Sequence, residues 1–92
     1  MNQALRRLLI DVANDVQMRE VLTCLYRDHP QGVSFAGLKD MLLLHETFDE
    51  ARLQHLVTER VLAFGGNRYI IAADTRQILD RDSTILMEEF LR

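Results

Sequence analysis

The sequence predicts a mainly helical α+β domain that closes on a β-hairpin, and three features carry that prediction. A helical apolar face runs directly into two short apolar stretches separated by Gly65-Gly66-Asn67. Ahead of it lie segments with apolar residues at three- and four-residue spacing, and a further such segment follows it. The 92 residues suffice for one modest core and not for two, so residues 1–92 are read as a single domain.

Residues 3–13 place Leu5, Leu8, Leu9 and Val12 on one helix face. Asn14 or Asp15 is then placed to cap a second helix from about Val16 to Asp28, with Gln17 completing a capping box for Asn14. One helix running through Asn14 is the alternative. The stripe of this second helix is Val21, Leu22 and Leu25, with Met18 at its edge. It must stop near His29-Pro30, because proline disfavours helical geometry at the residue before it.

Gln31-Gly32 forms a turn, Val33 a short strand, and Ser34 the cap of a helix from Phe35 to about Leu44 with Phe35, Leu38 and Leu42 inward and Met41 a further candidate for that face. Gly37 costs that helix about 1 kcal/mol relative to alanine, which predicts a close backbone approach or a weak first turn. Met41 to Leu44 is apolar almost all round and predicts contact with another element or another chain.

Thr47 is placed to cap the next helix, with Glu50 at the capping-box position and Asp49 favouring the helix dipole. Leu53, Leu56, Val57 and Val61 form its inner stripe. Val61–Phe64 and Arg68–Ala72 then alternate as hairpin strands, joined by residues that permit positive φ. Tyr69 and Ile71 share the core face, which leaves Ile70 in need of cover from a terminal helix. Asp74-Thr75 opens a last helix over 75–91 with Ile78, Leu79, Ile85, Leu86 and Phe90 on one broad face. Asp82 and Ser83-Thr84 weaken that helix and predict a bend or a late start.

Composition narrows the chemistry. With 48% hydrophobic and 27% charged residues the chain is of globular type. No apolar run approaches the roughly 20 residues of a membrane span, and the first ten residues lack a signal-peptide pattern, so a cytoplasmic location is expected. Cys24 is the single cysteine, which excludes an internal disulfide and a zinc site of several thiolates; among Val21, Leu22 and Leu25 it reads as a small core residue. His45 and His55 are ten residues apart, not the four of a helical ligand pair, so no metal site is expected. His29 suits a helix C-terminus rather than a catalytic base. The Gly65-Gly66-Asn67 turn lacks the Gly-Lys-Ser/Thr of a phosphate loop, and Ser34 and Ser83 have no nearby base. The chain is expected to be no enzyme and to carry no cofactor.

The passage from Leu53 to Ala72, ending in Arg68-Tyr69-Ile70-Ile71 and preceded by a short strand and two helices, resembles the winged helix-turn-helix family over residues 16–73. That resemblance implies the order α-α-β-α-α-β-β-α, with helices 3–13 and 75–91 added at the ends. It also implies that the third core helix and the wing meet double-stranded DNA, in a small homodimeric protein of transcription-regulator type. Arg52, Gln54 and His55 on the helix and Arg68 on the wing are the expected contacts, Arg52 and Gln54 suiting base edges and Arg68 a phosphate or the minor groove. The expected dimer interface packs Leu5, Leu8, Leu9 and Val12 against Ile78, Ile85, Leu86 and Phe90 of a partner chain. The alternative folds both terminal helices back on their own hairpin.

Two departures from the family pattern lead to a second functional reading. Arg60 stands where many relatives carry glycine before the first wing strand. The third helix opens with Glu46, Asp49 and Glu50, which repel phosphate, on a chain of net charge −3. The alternative is therefore a non-catalytic protein-interaction module that docks through the acidic helix or through Met41 to Leu44.

Overall fold

A computed structural model describes residues 3–44 and 46–87. Among these residues the chain is mainly helical, with one antiparallel two-stranded hairpin. Helix α1 (Gln3–Ala13) buries Leu5, Leu9 and Ala13 at four-residue spacing. It ends where Asp15 turns extended and caps α2 (Val16–Thr23), its Oδ1 accepting the N–H groups of Gln17 and Met18 at 2.9 and 3.1 Å. The two helices are thus separate and Asp15, not Asn14, is the cap. Arg19, buried to 6% exposure, donates to the Ala13 carbonyl at 3.1 Å and so satisfies one of the acceptors left open where α1 stops.

Helix α2 continues as a π turn over Cys24–Asp28, which closes at His29. Cys24 lies in the core as a free thiol, and burial pushes its pKa up, assisted by the charge of Asp28. Val33 then pairs with Tyr69 as an isolated bridge, each donating its N–H to the other's carbonyl. Ser34 caps α3 (Phe35–Met41) by accepting the Gly37 N–H at 3.0 Å. Gly37 answers to a close approach: a Cβ there would lie 2.8 Å from Val33 Cγ1.

The helix expected to reach Leu44 stops at Met41, because Leu42 takes extended geometry. Extended backbone alternates its side chains, so Leu42 and Leu44 pack against the core while Leu43 is 99% exposed. Helix α4 (Glu50–Thr58) also begins later than expected. Its N-cap is Asp49, which makes no side-chain cap bond, and not Thr47. Phe48 and Leu53, both buried, occupy the two positions of a hydrophobic staple, and burial of Phe48 fixes the chain's entry into α4.

Strands β1 (Leu62–Gly65) and β2 (Arg68–Ile71) pair in the register Leu62↔Ile71 through Gly65↔Arg68, and Ala72 N–H donates to Val61 one step beyond. Gly66 and Asn67, at φ 58° and 63°, form a two-residue turn of the type that matches strand twist. Tyr69 is completely buried and Ile71 nearly so, as alternation requires. The Gly32 turn lies against Ile70: a Cβ on Gly32 would lie 2.5 Å from Ile70 Cγ2.

Over its described residues, the helix expected at 75–91 is two elements. Helix α5 (Ala73–Arg81) breaks at Asp82, and a 3₁₀ turn follows over Ser83–Leu86. Asp82 accepts hydrogen bonds from Arg6 and from the Thr84 hydroxyl, which hold its carboxyl below the usual carboxylate range. The backbone of Asp82 is non-helical, at φ −141° and ψ 79°, which ends α5 there. Tyr26 anchors α5, donating to Asp80 while the Arg76 guanidinium lies 4.9 Å above its ring.

Helix α1 packs on α2, α5 and the 3₁₀ turn. The terminal segments thus fold back on their own chain, the arrangement given as the alternative to an interchain interface. Leu5, Leu9 and Ile85 belong to the chain's own core, with Leu8, Val12, Ile78 and Leu86 packed at its edge; Phe90 lies outside the described residues. No described helix is long and apolar enough to cross a membrane.

Candidate binding face around helix α4

Helix α4 shows two exposed flanks, one toward the hairpin and one toward α1 and α2. On the hairpin flank, Tyr69 reaches out of the core by its hydroxyl alone. That hydroxyl donates to Glu50 Oε2 at 2.6 Å and accepts from Gln54 Nε2 at 2.8 Å. Burial, with the Glu50 carboxylate beside it, pushes the Tyr69 pKa up to about 12. Phe64, 45% exposed, closes the top of this flank with its ring centroid 4.6 Å from that of Tyr69.

On the opposite flank a groove of about 500 Å³ runs between the α1–α2 corner and α4. Its floor is aliphatic, made by Val12, Met18, Ala51 and Leu56. Asp15 and Arg52 meet across its mouth, Arg52 Nη2 to Asp15 Oδ2 at 2.7 Å, and the guanidinium also lies 4.9 Å from the centroid of Phe48. Burial opposes ionisation of Asp15. The hydrogen bond and charge of Arg52 together with two backbone N–H groups outweigh it, so the carboxyl is held below its ordinary pKa. Asp11 completes that rim and has no side-chain partner among the described residues.

The four residues expected to touch DNA are therefore placed unequally. Gln54 is turned to Tyr69, Arg52 to Asp15, and His55 lies 3.7 Å from Glu59 on its own helix. Arg68, exposed beside the hairpin turn, makes no side-chain hydrogen bond or ion pair among the described residues. Sequence reasoning did not anticipate the Asp15–Arg52 contact, which joins residues 37 apart, or the burial of Phe48. Local periodicity gives no signal for the first. Among the described residues no group of three or more His, Cys, Asp or Glu is arranged to hold a metal ion. Comparison with protein-family models, with curated proteins and with solved structures finds no match to this chain.

Proposed function

We propose that this chain is a non-catalytic binding module of winged-helix-like architecture, with α3 and α4 as the helix pair and β1–β2 as the wing, and that α4 docks a protein partner. The observation that carries the reading is the commitment of the polar side chains of α4 within the chain. Gln54 cannot face a base edge while its amide donates to Tyr69, and Arg52 is paired with Asp15. Exposed Glu46 and Asp49 lie just ahead of the helix, where a phosphate backbone would approach. Leu43, fully exposed between α3 and α4, adds an apolar contact of the kind a protein surface covers.

A second reading, a DNA-binding protein of transcription-regulator type, is favoured by one observation: Arg68 has no side-chain partner among the described residues at the hairpin turn, where a wing would meet a phosphate. A homodimer in that reading needs a surface other than Leu5, Leu9 and Ile85, which the core occupies. A fluorescence titration of mixed-sequence duplex DNA at about 50 mM and about 200 mM salt separates the two readings. The docking reading expects weak binding with little salt dependence. Tight binding that falls steeply with salt, and that Arg68→Ala weakens, would replace it with the DNA reading.

A further inference from the structure

We propose that the groove between the α1–α2 corner and α4 receives an amphipathic helix of a protein partner, one whose apolar stripe is flanked by lysine or arginine. This inference rests on the docking reading and names the partner's chemistry. A groove walled by helices with an aliphatic floor suits the apolar face of another helix, which presents residues at i, i+3, i+4 and i+7. Val12, Met18, Ala51 and Leu56 form that floor on two walls, and the volume of about 500 Å³ admits a short row of aliphatic side chains.

Charge selects among helices. Among the described residues Arg52 is the only arginine or lysine lining the groove, and it pairs with Asp15 at 2.7 Å. Asp11 is exposed on the same rim and has no side-chain partner among the described residues, so the rim carries an uncompensated negative charge. A basic flank on the incoming helix would pair with Asp11, whereas an acidic flank would face it unpaired. Rim charges of this kind set selectivity and association rate more than total affinity.

The test uses the full chain, labelled for amide NMR, and a synthetic helical peptide with leucine at i, i+3, i+4 and i+7 and lysine on both flanks. A second peptide replaces the lysines by glutamate. The lysine peptide is expected to shift the amides of Val12, Met18, Ala51 and Leu56 and to bind about five-fold more tightly than the glutamate peptide. Asp11→Lys, on an exposed position with no side-chain partner to lose, is expected to reverse that order. Shifts elsewhere, equal binding of the two peptides, or an order unchanged by Asp11→Lys would each overturn the proposal. Groove shifts that grow with protein concentration alone would also overturn it, by assigning the groove to a second copy of this chain. The DNA titration is independent: peptide failure with silent DNA removes only the groove assignment, whereas tight salt-sensitive DNA binding removes the docking reading itself.

Discussion

The Tyr69 hydroxyl donates to Glu50 Oε2 at 2.6 Å while the Gln54 amide donates to it at 2.8 Å, so one phenol on β2 bridges successive turns of α4. Its ring is fully buried and its backbone pairs with both Phe64 and Val33. Strand, bridge and helix are thereby joined at a single residue, its backbone holding the first two and its hydroxyl the third.

Tyr69→Phe keeps the ring and removes both hydrogen bonds, with an expected loss of about 1 kcal/mol in denaturant unfolding. The pH dependence has a definite sign. Because the folded pKa is raised from 10.0 to about 12, the contribution is fully present below pH 10 and is lost as pH rises toward 12. Ultraviolet titration of the native protein should show a tyrosine that ionises near the upper limit and is missing in Tyr69→Phe. Ionisation of Tyr69 at the ordinary value would mean that the hydroxyl is neither buried nor held by Glu50.

Leu56 and Leu9 test where the terminal helix packs. Leu56 is 3% exposed and Leu9 fully buried, so either change to alanine should cost about 2 to 5 kcal/mol. Since Leu9 lies in the chain's own core, the unfolding midpoint of Leu9→Ala should not depend on protein concentration. A midpoint that rises with concentration would place α1 in an interface between chains.

Arg60 and Gly32 both sit at positive φ, with opposite expectations. Arg60, at 65°, has a conformation glycine adopts more readily, so Arg60→Gly should leave stability unchanged or raise it by up to about 1 kcal/mol. Gly32, at 101° and tight against Ile70, has no room for a side chain. Gly32→Ala should destabilise by about 1 to 3 kcal/mol. Thermal or urea unfolding of the two variants side by side checks both signs.

Asp15→Ala removes the cap of α2 and should cost about 1 kcal/mol. Its ion pair with Arg52 adds little, because both side chains are more than 40% exposed. The carboxyl pKa is lowered in the folded protein, so its contribution is present above the ordinary carboxylate range and disappears as pH falls through the lowered value. The stability gap between wild type and Asp15→Ala should therefore narrow in strong acid and stay constant from pH 5 to 7, which urea midpoints across that range will show.

What the sequence determined by itself is local. Ser34 as a cap, the stop at His29-Pro30, Val33 as a one-residue strand and the turn at Gly66-Asn67 follow from backbone preferences that act within a few residues. The inward faces of Leu53, Leu56 and Tyr69 follow from periodicity, which needs no knowledge of the partner element. Tertiary structure decided the remainder. Whether Leu5, Leu9 and Ile85 met their own chain or another depended on how α1 and the 3₁₀ turn returned to the core, and an apolar stripe is the same in either case. The start of α4 lies at Glu50 with Phe48 buried ahead of it, a tertiary contact that the capping pattern at Thr47 does not encode. The binding face changed most: Gln54 and Arg52 look available on a helical wheel, and only contacts with Tyr69, 15 residues away, and Asp15, 37 residues away, commit them. Hydrogen bonds between residues so far apart depend on the packed geometry of the whole chain, and no spacing rule encodes them.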